Sequence, residues 1–217
     1  MEIYLDTAHV ADIESGVATG CIRGVTTNPT IISREGKSLR QCITDIAAID
    51  PELTILVEAV SSSPEALVEE ARRLNSLASK IVVKLPMSAH GLAAARRLSK
   101  SGIRTTVTLV FSLTQAIAAS CAGAEFVAPF VGRLDDMSVS GLDLVRSIKG
   151  TFRAQEATTK IIAASIRSAQ TVAELFAAGC DVVTMPCSIF RKMLEHPLTE
   201  AGLAQFEKDW KTVPGSL

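Results

Sequence analysis

The sequence predicts an α/β fold: a single eightfold (β/α) barrel of the TIM type with an extra C-terminal helix. Three observations carry this. Short β-branched runs alternate with helical patterns along the whole chain. The strand runs are continuously apolar, as parallel strands covered on both faces are. No GxGxxG follows an early strand, which the alternative, an open doubly wound sheet, would want. The 217 residues suit one domain spanning 1–217, because single-domain barrels run about 200–250 residues. Aromatics are 4% of a chain that is 47% hydrophobic, so the core must be built from Ala, Val, Ile and Leu.

The elements follow in order. Ile3–Asp6 reads as the first strand and Val10–Thr19 as its helix. Gly24–Thr27 is the second strand; Ser38 then caps a helix carrying Leu39, Ile43 and Ile46. Leu53–Glu58 is the third, after which Ser63-Pro64-Glu65 opens a helix with an N-cap and proline at its first position. Ile81–Lys84 is the fourth, and its helix, Ser88–Ser101, ends at Gly102. Arg104–Leu109 and Ser112–Ala122 form the fifth unit. Glu125–Ala128 is the sixth strand, followed by a loop with Arg133, Asp135 and Asp136 before a helix from Ser140. Lys160–Ala164 with Ser168–Ala178, and Asp181–Thr184 with Ser188–Leu194, complete the ring. An amphipathic helix over about 198–211 is supernumerary.

The net charge of −1 comes from 22 basic and 23 acidic residues that are scattered, with no basic block interleaved with aromatics. That excludes a nucleic-acid groove. Met1 leads into a strand with no basic-then-apolar leader, and no apolar run is long enough to span a bilayer, so a soluble, cytoplasmic protein with no membrane partner is expected. Cys21, Cys42, Cys121, Cys180 and Cys187 contain no CxxC pair and lie in or beside apolar stretches; they read as buried free thiols. His9, His90 and His196 lack metal-ligand spacing and read as solvated loop or helix residues.

One cation breaks the apolar pattern: Lys84, in Ile81-Val82-Val83-Lys84-Leu85-Pro86. Burial disfavours its ammonium form and leaves more of the neutral amine that attacks carbonyls, a Schiff-base lysine. The plainer reading is a lysine reaching water along its stem. The strand ends decide which reading is useful, since a barrel builds its active site there. They supply Asp6, Thr26-Thr27-Asn28, Glu58, Lys84, Thr108, then Phe130, Gly132 and Arg133, and Ser165 with Arg167. Lys84 is the amine nucleophile of that set, and Asp6 can carry protons during carbon–carbon cleavage. Glu58 and Thr108 can hold the water of a carbinolamine, and Asn28 a substrate hydroxyl or carbonyl. Arg133, Arg167 and Ser165 suit a phosphate. Each residue also has an ordinary reading: Asp6 as a helix N-cap, Asn28-Pro29 as a turn, Glu58 as an N-terminal helix charge, the arginines as surface ion pairs.

The motifs Leu5-Asp6-Thr7, Gly24-Val25-Thr26-Thr27-Asn28-Pro29, Val83-Lys84-Leu85-Pro86, Ala128-Pro129-Phe130-Val131-Gly132-Arg133 and Ala164-Ser165-Ile166-Arg167 together resemble the transaldolase family. The short chain is similar to its small-subunit branch, which also holds fructose-6-phosphate aldolase. The resemblance implies class I aldolase chemistry without metal or organic cofactor, on sugar phosphates such as sedoheptulose 7-phosphate or fructose 6-phosphate. By resemblance Lys84, Asp6, Glu58 and Thr108 are catalytic, and Thr26, Asn28, Phe130, Arg133, Ser165 and Arg167 bind substrate. It further implies a homo-oligomer, a pentamer or decamer, with the C-terminal helix on a neighbour; packing of Leu203, Phe206 and Trp210 on the chain's own barrel explains their stripe as well. Glu58 and Phe130 are the residues of the transaldolases, where the aldolase branch has glutamine and tyrosine. Thr106 departs from the asparagine of larger transaldolases and Ala128 from their serine. The rival expectations are an aldolase releasing free dihydroxyacetone, an enzyme acting on a sugar sulfonate, and a catalytically silent sugar-phosphate-binding barrel.

Overall fold

The computed structural model describes residues 1–215. Eight parallel strands close into a barrel in sequence order. They are β1 (Glu2–Asp6), β2 (Ile22–Thr26), β3 (Thr54–Glu58), β4 (Ile81–Pro86), β5 (Thr105–Val110), β6 (Phe126–Pro129), β7 (Lys160–Ala163) and β8 (Val182–Met185). Pairing of β1 with β8 closes the ring, with Tyr4 opposite Thr184 and Leu5 opposite Met185.

Helices α1 (Val10–Val17), α2 (Pro29–Arg34), α3 (Leu39–Ile49), α4 (Pro64–Asn75), α5 (Ala89–Lys100), α6 (Leu113–Cys121), α7 (Val131–Asp135), α8 (Gly141–Ala154), α9 (Ala169–Ala177), α10 (Cys187–Leu194) and α11 (Pro197–Trp210) fill the connections. The two expected serine caps form, Ser38 and Ser63 accepting from Gln41 and Ala66 N–H, and Ser88, Ser112, Ser140 and Ser168, where the sequence predicts helices to begin, cap theirs in the same way. Each such cap contributes about 1 kcal/mol.

Two apolar layers result from strand alternation. Outward side chains such as Val25, Val57, Val83, Val107, Val127 and Val183 meet the helices in the larger core. Inward ones form a second cluster, Tyr4, Leu56, Val82, Phe126, Ile162 and Val182, that plugs the barrel below its mouth. Gly24 makes room for that plug, because a Cβ there would stand 2.8 Å from the Tyr4 ring and 2.6 Å from the Thr54 carbonyl oxygen. The mouth at the strands' carboxyl ends thus has an apolar floor.

Three expectations change. The segments after β2 and β6 hold the short helices α2 and α7, so Arg133 lies on a helix and not in a loop. Both helices are too short to show an apolar period, and α7 starts at Phe130 without a side-chain cap. Cys21 and Cys121 are exposed, while Cys42, Cys180 and Cys187 are buried. Position beside an apolar run does not say which face a residue takes. The C-terminal helix buries none of its residues against the barrel, so packing on its own barrel does not account for its apolar stripe. Among the described residues, no helix is long and apolar enough to cross a membrane.

Candidate active site

The strand ends converge on a cavity of about 140 Å³ lined by Asp6, Thr26, Asn28, Lys84, Thr108, Phe130, Arg133, Ser165, Arg167 and Thr184. It widens into a vestibule of about 610 Å³ that adds Glu58, Arg34 and Leu109. All ten residues expected to be catalytic or to bind substrate line one of these two spaces, whereas Thr27 and Gly132 line neither.

Lys84 is 6% exposed and projects from the apolar strand β4 into the barrel mouth. Its Nζ donates to the Thr27 carbonyl at 2.9 Å and to Glu58 Oε2 at 3.1 Å. The lysine is therefore not the unpaired buried cation that the strand pattern alone describes. Register explains the partner: Glu58 ends β3 directly opposite Lys84 on β4. Glu58 is also not the first-turn charge of α4, which Ser63 opens five residues later.

Asp6, opposite Thr26 in register, receives the Thr26 hydroxyl on Oδ1 at 2.6 Å. Burial raises its carboxyl pKa above the ordinary value; the Thr26 hydrogen bond and the Lys84 charge pull it back, and Glu58 adds to the rise. It does not cap α1, whose N-cap is His9. Asn28 caps α2 by accepting from Ile31 N–H at 2.9 Å. Its carbonyl oxygen is thus committed, and its amide donors remain for the cavity.

Thr108 Oγ1 is fully buried and has no hydrogen-bond partner among the described residues, as is Thr106 Oγ1 two residues earlier. A buried hydroxyl costs free energy unless something bonds it, so Thr108 has capacity for a water or substrate oxygen. The backbone is distorted just beyond it: Leu109 has φ +60° and the β5–β6 register shifts between Val107 and Val110.

The arginines stand at the opposite wall. Arg133 lies 4.7 Å over the Phe130 ring, a cation–π contact that holds the guanidinium at the rim. Arg167 donates to Asp136 at 3.0 Å in an exposed ion pair, so the surface-pair reading is realised for it. Gly132 lets the two segments touch, because an added Cβ would overlap the Ser165 carbonyl oxygen. Ser165 itself has φ +63°, a left-handed conformation costly for serine.

Residues 3–217 match the transaldolase/fructose-6-phosphate aldolase family. A probable transaldolase of Petrotoga mobilis is 46% identical over 211 residues, covering 97% of this chain and 95% of that one. Probable transaldolases of Symbiobacterium thermophilum and Aquifex aeolicus are each 44% identical, covering 99% of this chain and 99% and 98% of theirs. The chain belongs to the transaldolase/fructose-6-phosphate aldolase family.

Among the residues lining the site of this family member that the strand-end reading passed over are Thr184 and Arg34. Thr184 is the next-to-last residue of β8 and faces inward, so a rule that counted inward polar residues near the strand ends would have found it. Arg34 closes α2, a helix the sequence does not announce. The cysteines stay outside the two spaces, and burial pushes the Cys180 thiol up to about 12, which suppresses its nucleophilic form. Among the described residues, no group of three or more His, Cys, Asp or Glu side chains could hold a metal ion.

Proposed function

We propose that this family member is a transaldolase that moves a dihydroxyacetone unit from a ketose phosphate, sedoheptulose 7-phosphate or fructose 6-phosphate, to an aldose phosphate. The observation that carries it is the placement of the Lys84 amine above an apolar floor, 3.1 Å from a carboxylate and in one cavity with Asp6, Thr108, Arg133 and Arg167. Glu58 takes a proton from the Lys84 ammonium, and the freed amine attacks the substrate ketone. The carbinolamine loses water, held by Glu58 and Thr108, and becomes an iminium. Asp6 then accepts the proton of the C4 hydroxyl as the C3–C4 bond breaks. The electrons of that bond pass to the iminium nitrogen, leaving an enamine on Lys84 and freeing the aldose phosphate. An incoming aldehyde reverses these steps, and Asp6 returns the proton.

Thr26 and Asn28 hold the dihydroxyacetone end in this reading. Arg133, Ser165 and Arg167 bind the phosphate through charge-assisted hydrogen bonds; the Arg167–Asp136 pair is exposed and exchangeable. Glu58 and Phe130, by their resemblance to the transaldolase pattern, favour transfer over release, since Phe130 offers no hydroxyl to help hydrate the bound fragment. We also infer that the active protein is a homo-oligomer in which α11 packs on a neighbouring copy. Phe206 is 72% and Trp210 57% exposed on that helix.

The deciding assay follows glyceraldehyde 3-phosphate and free dihydroxyacetone from fructose 6-phosphate, with and without erythrose 4-phosphate. Product only with the acceptor supports the transaldolase. Comparable cleavage without it, with dihydroxyacetone accumulating, assigns the aldolase reaction instead. Borohydride reduction with substrate should fix substrate mass on Lys84; no adduct there rejects both.

A further inference from the structure

A chain of three side chains crosses the inner wall of the barrel. Thr184 Oγ1 on β8 lies 2.6 Å from Thr26 Oγ1 on β2, and Thr26 Oγ1 lies 2.6 Å from Asp6 Oδ1 on β1. Strand β1 separates β8 from β2 in the sheet, so the two hydroxyls meet inside the barrel across it. Thr184 is opposite Tyr4 and Thr26 is opposite Asp6. Since Tyr4 and Asp6 share a face two residues apart, Thr184 sits one pleat below the carboxylate it reaches through Thr26.

Proton counting fixes the direction of this chain. A threonine hydroxyl owns one proton. While Asp6 is ionised, Thr26 spends its proton on that carboxylate, so only its lone pairs face Thr184, and Thr184 donates to it. Among the described residues, Thr184 Oγ1 makes no other side-chain hydrogen bond, and Asp6 Oδ2 makes none. Thr184 and Thr26 are 2% and 3% exposed, so water does not compete freely for either hydroxyl. Packing alone does not call for threonine here: Val182 and Val183 precede it on the same strand, and valine has the same shape.

We propose that Thr184 is a positioning residue for Asp6: its donated hydrogen bond holds the Thr26 proton on Oδ1 and leaves Oδ2 as the oxygen that exchanges a proton with substrate. This rests on the reading of Asp6 as the proton carrier of the aldol step. A donor behind Thr26 polarises the Thr26–Asp6 bond and favours the carboxylate form. It therefore acts with Lys84 on β4, and against Glu58 on β3 and the burial of the carboxyl. Arg133 on α7 and Arg167 after β7 are the other charged groups lining the same cavity.

The test is carbon-13 NMR titration of the Asp6 carboxyl in the ligand-free full chain, with aspartate-selective labelling and assignment by Asp6→Asn. Thr184→Val is expected to raise the Asp6 pKa by about half a unit. Thr184→Ser should restore it, and Thr26→Val should raise it further. In a Thr26→Val background, Thr184→Val should add nothing, because the link is already cut. An unmoved titration in Thr184→Val, or an equal shift in both backgrounds, overturns the proposal. Should Thr184→Val not fold, Thr184→Ala carries the same comparison. The titration needs no turnover, so its outcome is separate from that of borohydride trapping at Lys84, which judges the underlying reaction. In steady state, the acid limb of kcat/KM should move with the carboxyl, while adduct formation at Lys84 stays at the wild-type level.

Discussion

Asp6 shows how a single side chain is shaped by neighbours that are distant in sequence. Burial and Glu58 raise its pKa, and Thr26 and Lys84 oppose the rise. The sign of the stability effect follows. As pH rises above the ordinary carboxyl value, the unfolded chain loses this proton first, so the folded state binds more protons and stability falls through that window. The cost grows with pH until the folded-state carboxyl has itself ionised. Asp6→Asn should therefore raise the melting temperature at pH 7 by roughly 2–4 °C, with the gain shrinking towards pH 4. It should also lower kcat by roughly 10²–10⁴. A melting temperature at pH 7 that does not rise would show that the carboxylate is not held at a cost. For Lys84, the apolar run announced a buried amine, but the partner Glu58 is 26 residues away and appears only in the β3–β4 register.

At the scale of elements, strands and capped helices were legible because each carries its signal locally: a continuous apolar run, or a serine three residues before a helical N–H. The short helices α2 and α7 were not. Six and five residues make no period; α2 rests on the Asn28 cap and Pro29 at its first position, and α7 has no side-chain cap. Yet α7 carries Arg133, and its fit against the Ser165–Arg167 segment depends on the missing side chain of Gly132. Gly132→Ala should push these two segments apart. We expect a loss of about 1–3 kcal/mol in stability and a raised KM for phosphorylated substrates, with a smaller change for unphosphorylated ones. Thermal unfolding and paired kinetics check both parts, and an unchanged KM would separate the two segments from phosphate binding.

For the whole molecule, the closed barrel explains why ten residues from seven strand ends face one space: the strands are parallel, so all their carboxyl ends lie on one rim. Helix α11 lies outside that economy, with Leu198, Leu203, Phe206 and Trp210 exposed. Apolar patches of this kind mark association surfaces. If the proposed homo-oligomer forms through α11, Phe206→Asp combined with Trp210→Asp should yield single chains in analytical ultracentrifugation while the far-ultraviolet circular dichroism of the barrel persists. A wild-type protein that sediments as a single chain at micromolar concentration would refute the oligomer.

The sequence by itself determined the barrel, the order of its strands and the rim on which chemistry is placed, because a parallel strand buried on both faces and a serine-capped helix are local facts of composition and spacing. Its motifs also pointed to the family, since they resemble that family's motifs and follow in the same order along the chain. Only the tertiary structure decided which rim residues touch: Lys84 with Glu58, Asn28 with the start of α2, and Thr184 with Thr26 and Asp6. Those contacts depend on register and on which strands meet across the barrel interior, and a linear pattern of period two does not encode either.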